Sequence, residues 1–287
     1  MFTRAFRFER AEGLADACEL LREYGEAAKV IAGGQSLLPL INLGLVQPEV
    51  VIDISRVSAG TDLSAFGGYL TVGALVTHAK LASSALADEA QPLLGAAARQ
   101  IGNARVRNRG TLGGSLAHSD PAAELPLVMM ALGATYEVTN GRVTRTVKAE
   151  DFHLSILTTA LEPDELVVSV QAPVLGPGWG WSFQEFSRRD GDFAIAASAA
   201  LVRVADGLIV ESRVAVGGVS ARPVRLADVE TSLTGATPAE IGDRLGPIQG
   251  LRPVTDAAAS AAYRTHLCGV LVARALAEAS KRSAEAA

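Results

Sequence analysis

Cysteine is nearly absent. The 287 residues hold two, Cys18 and Cys268, far apart and in no CxxC pairing. That spacing excludes a cysteine-ligated iron–sulfur cluster or zinc site within the chain, and it gives no disulfide framework. Each cysteine reads as a small buried hydrophobe on a helix. Without a disulfide pattern, a reducing cytoplasm is the expected compartment. Aromatic residues are also scarce, at 5%, too few for a base-stacking surface. Positive charge is not in excess: 26 Lys and Arg stand against 31 Asp and Glu, a formal net charge of −5. Phosphate backbones require clustered cations, so nucleic acid is not an expected partner.

Long apolar runs are missing too. The longest uncharged stretch, 30–48, nears the roughly 20 residues of a membrane span. Gly33, Gly34, Pro39, Gly44 and Pro48 break it, so no span is expected. From Met1 to Arg10 apolar and charged residues alternate as in a short strand, with no signal-peptide core. His78, His118, His153 and His266 do not cluster in sequence, so each reads as a hydrogen-bonded structural histidine, with His78 the one to test, and no metal ligand set is expected. No serine, cysteine or paired carboxylate shows the surroundings of a nucleophile or general acid, so no catalytic residue is nominated.

What is present is a regular alternation of elements. Leu14, Ala17, Cys18, Leu21 and Tyr24 recur at helical spacing and stop at Gly25. A strand over 29–31, a tight loop over 32–36, a short helix over 37–43 and a strand over 50–53 complete one α/β unit. A second unit is predicted from a strand at 69–72, helices near 77–86 and 89–99, and a glycine-containing stretch at 101–115. A helix over 121–132, with Asp120 as N-cap and Pro121 at N1, and strands at 134–139, 142–147 and 166–172 follow. Gly176-Pro177-Gly178-Trp179-Gly180 marks the best boundary. Beyond it lie β-like runs at 181–186, 194–204 and 208–216, the last two joined by the hairpin dipeptide Asp206-Gly207. A long helix from Asp256 to about Arg282 ends the chain. The expected division is therefore 1–176, in two α/β subdomains of about 1–54 and 55–176, and an α+β part at 177–287.

Two glycine pairs carry the chemistry: Ala32-Gly33-Gly34-Gln35-Ser36 and Thr111-Leu112-Gly113-Gly114-Ser115. Each is expected to follow an extended segment and lead into a helix. Without Cβ atoms, backbone N–H groups can approach phosphate oxygens, and a helix start adds partial positive charge. Ser36, Thr111 and Ser115 can donate hydroxyl hydrogen bonds to the same oxygens. Two such loops match a pyrophosphate bridging two subdomains, while tight turns alone are the bland alternative. A valine at Gly33 or Gly114 is expected to fill the space that phosphate needs. Neither a P-loop nor a complete GxGxxG occurs, so P-loop and Rossmann proteins are set aside.

The segments AGGQSLLPL at 32–40, VGALVTH at 72–78 and NRGTLGGSLAHSDPAAELP at 108–126 resemble the medium subunits of the xanthine dehydrogenase and carbon monoxide dehydrogenase family. Bacterial nicotine and caffeine dehydrogenase medium subunits are similar. SRRDGDFAIAA at 187–197 and YRTHLCGVLVARAL at 263–276 extend the resemblance over nearly the whole chain. It implies an α+β, two-subdomain FAD-binding fold of the p-cresol methylhydroxylase type, followed by a smaller antiparallel-sheet-plus-helix part. It also implies non-covalent FAD held by Ala32, Gly33, Gly34, Gln35 and Ser36 and by Thr111, Leu112, Gly113, Gly114 and Ser115. Gly73, Ala74 and Thr77 would line the flavin site, Glu124 would bond the adenosine part, and Asp192 and Phe193 would lie near the isoalloxazine. Family members often carry asparagine at position 115 and tyrosine at 193. The implied function is electron transfer in a molybdenum hydroxylase, from a [2Fe-2S] small subunit through flavin to an acceptor. The molybdenum cofactor would sit on a large subunit, in a heterotrimer or its dimer. A stand-alone FAD oxidoreductase and a non-catalytic scaffold are the alternatives.

Overall fold

The computed structural model describes residues 4–286. The N-terminal strand runs over Arg7–Arg10, and the part of that expectation covering Met1 to Thr3 lies outside the described residues. Val50–Asp53, buried at every position, is the centre of a three-stranded parallel sheet between Arg7–Arg10 and Ala28–Ile31. Its unbroken Val-Val-Ile run suits a strand covered on both faces. The helix Leu14–Tyr24 packs there through Ala17, Cys18 and Leu21. Both cysteines are free and buried, in keeping with their reading as small hydrophobes.

The second sheet has five strands in the order Leu63–Phe66, Tyr69–Gly73, Leu166–Pro173, Thr135–Thr139 and Thr144–Lys148, and every pairing is antiparallel. The expected second α/β unit thus carries an antiparallel sheet. Its first strand is absent from the sequence reading because it is an edge strand with little burial; Phe66 is 91% exposed. Gly67 and Gly68, at φ 60° and 81°, close its hairpin in the left-handed geometry that a two-residue turn demands.

Helix boundaries move for local reasons. The predicted 77–86 helix breaks where Ser84 caps a new one, Ala85–Ala90, and Pro92 starts another, Pro92–Gln100. The stretch 101–115 contains the helix Ala104–Arg109, capped by the Asn103 side chain, and the start of Leu112–His118. Asp120 is not the N-cap of the next helix, which runs Glu124–Leu132. Its carboxylate instead accepts from Ala122 N at 2.8 Å, a local Asx turn.

The third sheet orders Trp179–Phe186, Ala196–Ala205, Leu208–Gly217 and Val224–Arg225, all antiparallel. Its second strand faces two cores at once. Ala197, Ala199 and Leu201 join the core around the helices Pro92–Gln100 and Glu124–Leu132, whereas Ala196, Ala200 and Val202 pack under the last helix. Burial on both faces explains the run of small apolar residues without alternation. The last helix, Ala261–Glu285, begins at the Ser260 cap and not at Asp256, whose carboxylate bonds Arg264 at 2.7 Å.

That helix lies directly on the sheet at Gly180. A Cβ there would fall 1.9 Å from the carbonyl oxygen of Ala279 and 2.4 Å from Ser283 N. Gly180→Ala should therefore force helix and strand apart at a cost of about 1–3 kcal/mol. For a chain of this size that is a fall of several degrees in melting temperature, read by thermal circular dichroism. An unchanged midpoint would show that the contact is looser than described.

Candidate functional site

A cavity of about 720 Å³ opens between the parallel unit and the second unit, with the loop 191–193 at its edge. That is within the roughly 300–1,000 Å³ typical of ligand pockets. Ala32, Gly33, Gly34, Gln35 and Ser36 line it from the parallel unit, where the loop leaves strand Ala28–Ile31 and enters helix Leu37–Asn42. Ala74, Thr111, Gly113, Gly114, Ser115 and Glu124 line it from the second unit, and Asp192 and Phe193 reach it from the loop before Ala196–Ala205. Three expected site residues do not line it. Leu112 is fully buried in the core, and Gly73 packs on Gly60, whose backbone would meet an added Cβ at 2.2 Å. Thr77 caps the helix His78–Ala82 by accepting from Lys80 N at 3.2 Å, and it bridges to Thr111. These three position the wall from behind.

The two glycine loops are not equivalent. No backbone acceptor among the described residues takes the amides of Gly33, Gly34, Gln35 or Ser36, so the first loop keeps free donors. Gly34 holds φ 72°, a conformation that L side chains rarely adopt. The second loop is the first turn of Leu112–His118, not a loop after an extended segment, because the preceding residues form the helix Ala104–Arg109. Its amides are engaged: Leu112 N donates to Val76 O at 2.9 Å, Gly113 N to Ala74 O at 2.8 Å, Gly114 N to Thr111 Oγ1 at 3.2 Å and Ser115 N to Thr111 O at 3.0 Å. The expectation that both loops offer amides is thereby corrected. The second contributes the hydroxyls of Thr111 and Ser115, and at Gly114 an absent side chain. A Cβ on Gly114 would meet Thr111 Oγ1 at 2.8 Å and no other atom within 4 Å.

Gly33 differs again. A Cβ there would lie 2.0 Å from the carbonyl oxygen of Arg109 and 2.9 Å from Gly110 Cα. Its lack of a side chain serves the contact between the two loops, not only a ligand. Gly113 likewise packs on Ala74, whose Cβ an added side chain would meet at 2.5 Å.

His78, His118 and Gly110 are among the further lining residues that were not assigned to the cofactor from sequence. His78 is 5% exposed, and burial pushes its pKa down to about 4. His118 is also lowered by burial, against the opposing pull of Asp120. At Glu124, burial raises the carboxyl to about 7; its own backbone N–H lowers it and the charge of Asp120 adds to the rise. Behind it, Glu185 is raised to about 8 by burial and by the charge of Glu124, and its Oε2 is buried without a partner. Only the fold could reveal this pair, because its members are 61 positions apart in the chain (185 − 124).

One buried cation braces the far wall. Arg264 is 4% exposed and donates from Nη1 to Ile195 O and Gly218 O, both at 2.6 Å. Ile195 lies two residues beyond Phe193, and Gly218 N donates to Pro121 O at 2.7 Å. A residue of the last helix thus ties together two segments of the cavity wall. Among the described residues no group of three or more His, Cys, Asp or Glu could hold a metal ion, and no helix is long and apolar enough to cross a membrane.

Comparison with known proteins places this arrangement. Residues 4–175 match the FAD binding domain in molybdopterin dehydrogenase, and residues 181–279 match the CO dehydrogenase flavoprotein C-terminal domain. The chain therefore belongs to the family of FAD-binding flavoprotein subunits of molybdopterin dehydrogenases. It is 40% identical to the nicotine 6-hydroxylase medium subunit of Paenarthrobacter nicotinovorans, over 97% of this chain and 99% of that one. Its fold superimposes on a chain of carbon monoxide dehydrogenase from Hydrogenophaga pseudoflava with a TM-score of 0.94, at 33% identity, covering 98% and 99% of the two chains. For quinoline 2-oxidoreductase from Pseudomonas putida 86 the TM-score is 0.91, at 33% identity, covering 99% of each. The α+β reading, with a C-terminal antiparallel sheet under a long helix, agrees with these structures. The cavity fits a dinucleotide: its volume suffices, one loop has free amides, and Gly114 leaves a gap that a Cβ would fill.

The carboxyl pair makes stability depend on pH. Glu124 and Glu185 ionise near 7 and 8 in the fold against an ordinary 4.5, so the native state retains protons that the unfolded chain releases. Stability should then fall as pH rises through that window. Glu185→Gln removes the ionisation that burial and the Glu124 charge push highest, so its melting temperature should fall less than wild type between about pH 5 and 8. Equal slopes for the two proteins would show that Glu185 ionises freely.

Proposed function

We propose that this chain holds FAD non-covalently in the cavity and carries electrons within a molybdenum hydroxylase. The observation that carries the reading is the seam of two unlike glycine loops, one with free amides and one with hydroxyls and a bare Cα. The first-loop amides and Ser36 would hold one part of the pyrophosphate, and Thr111, Gly114 and Ser115 the other. Glu124 would bond the adenosine part, and Asp192 and Phe193 would border the isoalloxazine. Ala32, Gln35, Ala74 and Gly113 shape the walls, while Gly73, Thr77 and Leu112 support them. Bound there, FAD supplies a redox centre able to exchange electrons with an iron–sulfur partner and an acceptor.

The partners we assign are a molybdenum-containing large subunit and a [2Fe-2S] small subunit, in a heterotrimer or its dimer, working in the cytoplasm. The names of relatives, which act on nicotine, carbon monoxide or quinoline, support a substrate choice made by the large subunit. We also propose the division 1–176, with subdomains near 1–54 and 55–176, and 177–287. The two family matches, one ending at 175 and the next starting at 181, support it. A chain purified with its partners should release about one FAD per copy on acid precipitation, and the isolated chain should contain no iron and should not oxidise the substrate. Flavin retained in the pellet, or turnover by the chain alone, would favour a different enzyme of this fold.

Two glycine variants separate binding from folding. Gly114→Val displaces one hydroxyl and otherwise projects into open space, so the chain should fold and lose FAD affinity at least tenfold, equivalent to about 1.4 kcal/mol. Gly33→Val collides with the Arg109 carbonyl and should lower melting temperature as well. Flavin content and circular dichroism read both. Full flavin in Gly114→Val would make that turn an ordinary helix start.

A further inference from the structure

His78 is wedged where the two glycine loops meet. Its N–H donates to Gly110 O and Leu112 N donates to Val76 O, both at 2.9 Å, so segments 76–78 and 110–112 are zipped together. This pairing lays the imidazole on Gly110, where a Cβ would fall 2.7 Å from Nε2. On its other side Gly110 abuts Gly33. Ring and first loop thus both pack on Gly110, the residue next to Thr111.

The ring makes no hydrogen bond among the described residues. Nδ1 is sealed from solvent without a partner, which leaves Nε2 as the nitrogen that the cavity can reach. A sealed N–H without an acceptor is costlier than an unpaired lone pair, so Nδ1 is the bare nitrogen and Nε2 carries the hydrogen. Burial keeps the ring neutral at neutral pH, since it protonates only near 4. What faces the cavity is thus an uncharged N–H donor.

We propose that His78 Nε2–H donates a hydrogen bond to a phosphate oxygen of the dinucleotide held between the glycine loops. The inference rests on the FAD reading above and adds a residue outside both loops. An anionic oxygen is the acceptor that strengthens a neutral donor most, and this donor sits at the seam where both loops converge on phosphate.

His78→Leu keeps similar bulk and removes the donor, whereas His78→Gln retains an N–H near the Nε2 position. Each full-length variant would be freed of flavin and titrated with FAD, and separately with ADP, which shares the pyrophosphate and lacks the isoalloxazine. The Leu variant should bind both ligands at least tenfold more weakly, and the Gln variant should stay within a few-fold of wild type, all with native circular dichroism. Equal affinity in the Leu variant would overturn the role of His78. Weakened FAD with unchanged ADP would overturn the phosphate assignment. Loss of fold in both variants would make the ring a packing element and also overturn the proposal. A wild-type chain that takes up no FAD would instead refute the cofactor reading itself, so the two failures are distinct.

Discussion

The approach of two backbones at Gly33 is the constraint on which the site depends. The carbonyl of Arg109 lies where a Cβ on residue 33 would be, so only glycine allows the parallel unit to close on the second unit. That closure turns two short loops from different sheets into one wall. The first loop can leave its amides uncommitted because the second, zipped to 74–78 through its own amides, supplies the rigid surface. The two loops therefore serve different ends: one binds through its backbone, and the other holds the backbone still and presents hydroxyls. Free donors facing a preformed surface avoid the ordering cost that a flexible loop would meet on binding.

The opposite wall is fixed from the far end of the chain. Arg264 gathers the carbonyls of Ile195 and Gly218, and Gly218 gathers Pro121, so the Asp192–Phe193 segment and the residues leading to Glu124 share one anchor. The strand Ala196–Ala205 repeats the theme in apolar form, with one face in the core beneath the site and the other under the last helix. The C-terminal part is thus a buttress. Its helix meets the sheet so closely at Gly180 that helix and strand are held in one position.

Much of this was legible in the chain. Apolar runs such as Val50 to Asp53, the Asp206-Gly207 hairpin and the two glycine pairs gave the strands, the turn and the seam, because each signal is local. Helix starts were less legible. Asp120-Pro121 has the composition of a cap, but its carboxylate closes a turn on Ala122 and the helix begins later. Asp256 is diverted in the same way by Arg264. The edge strand Leu63–Phe66 escaped because it is mostly exposed and lacks an apolar face. Of the site, sequence could point to glycines but not to their separate tasks. Whether Gly33 serves a ligand or a neighbouring carbonyl depends on Arg109, 76 positions away (109 − 33).

Burial keeps several ionisable groups of the wall uncharged. Burial holds His78 neutral far below neutral pH, lowers His118 and lifts Glu124 to about 7. A carboxylate held charged next to the first loop's amides would compete with a pyrophosphate for them, and a buried cation would need a partner when no ligand is present. Backbone amides meet neither difficulty, since they carry partial positive charge at every pH and incur no penalty of ionisation. The part of the wall that must attract an anion is accordingly the part that cannot titrate. The two carboxyls raised most by burial, Glu124 and Glu185, belong to the second and third sheets' side of the molecule and not to the first loop.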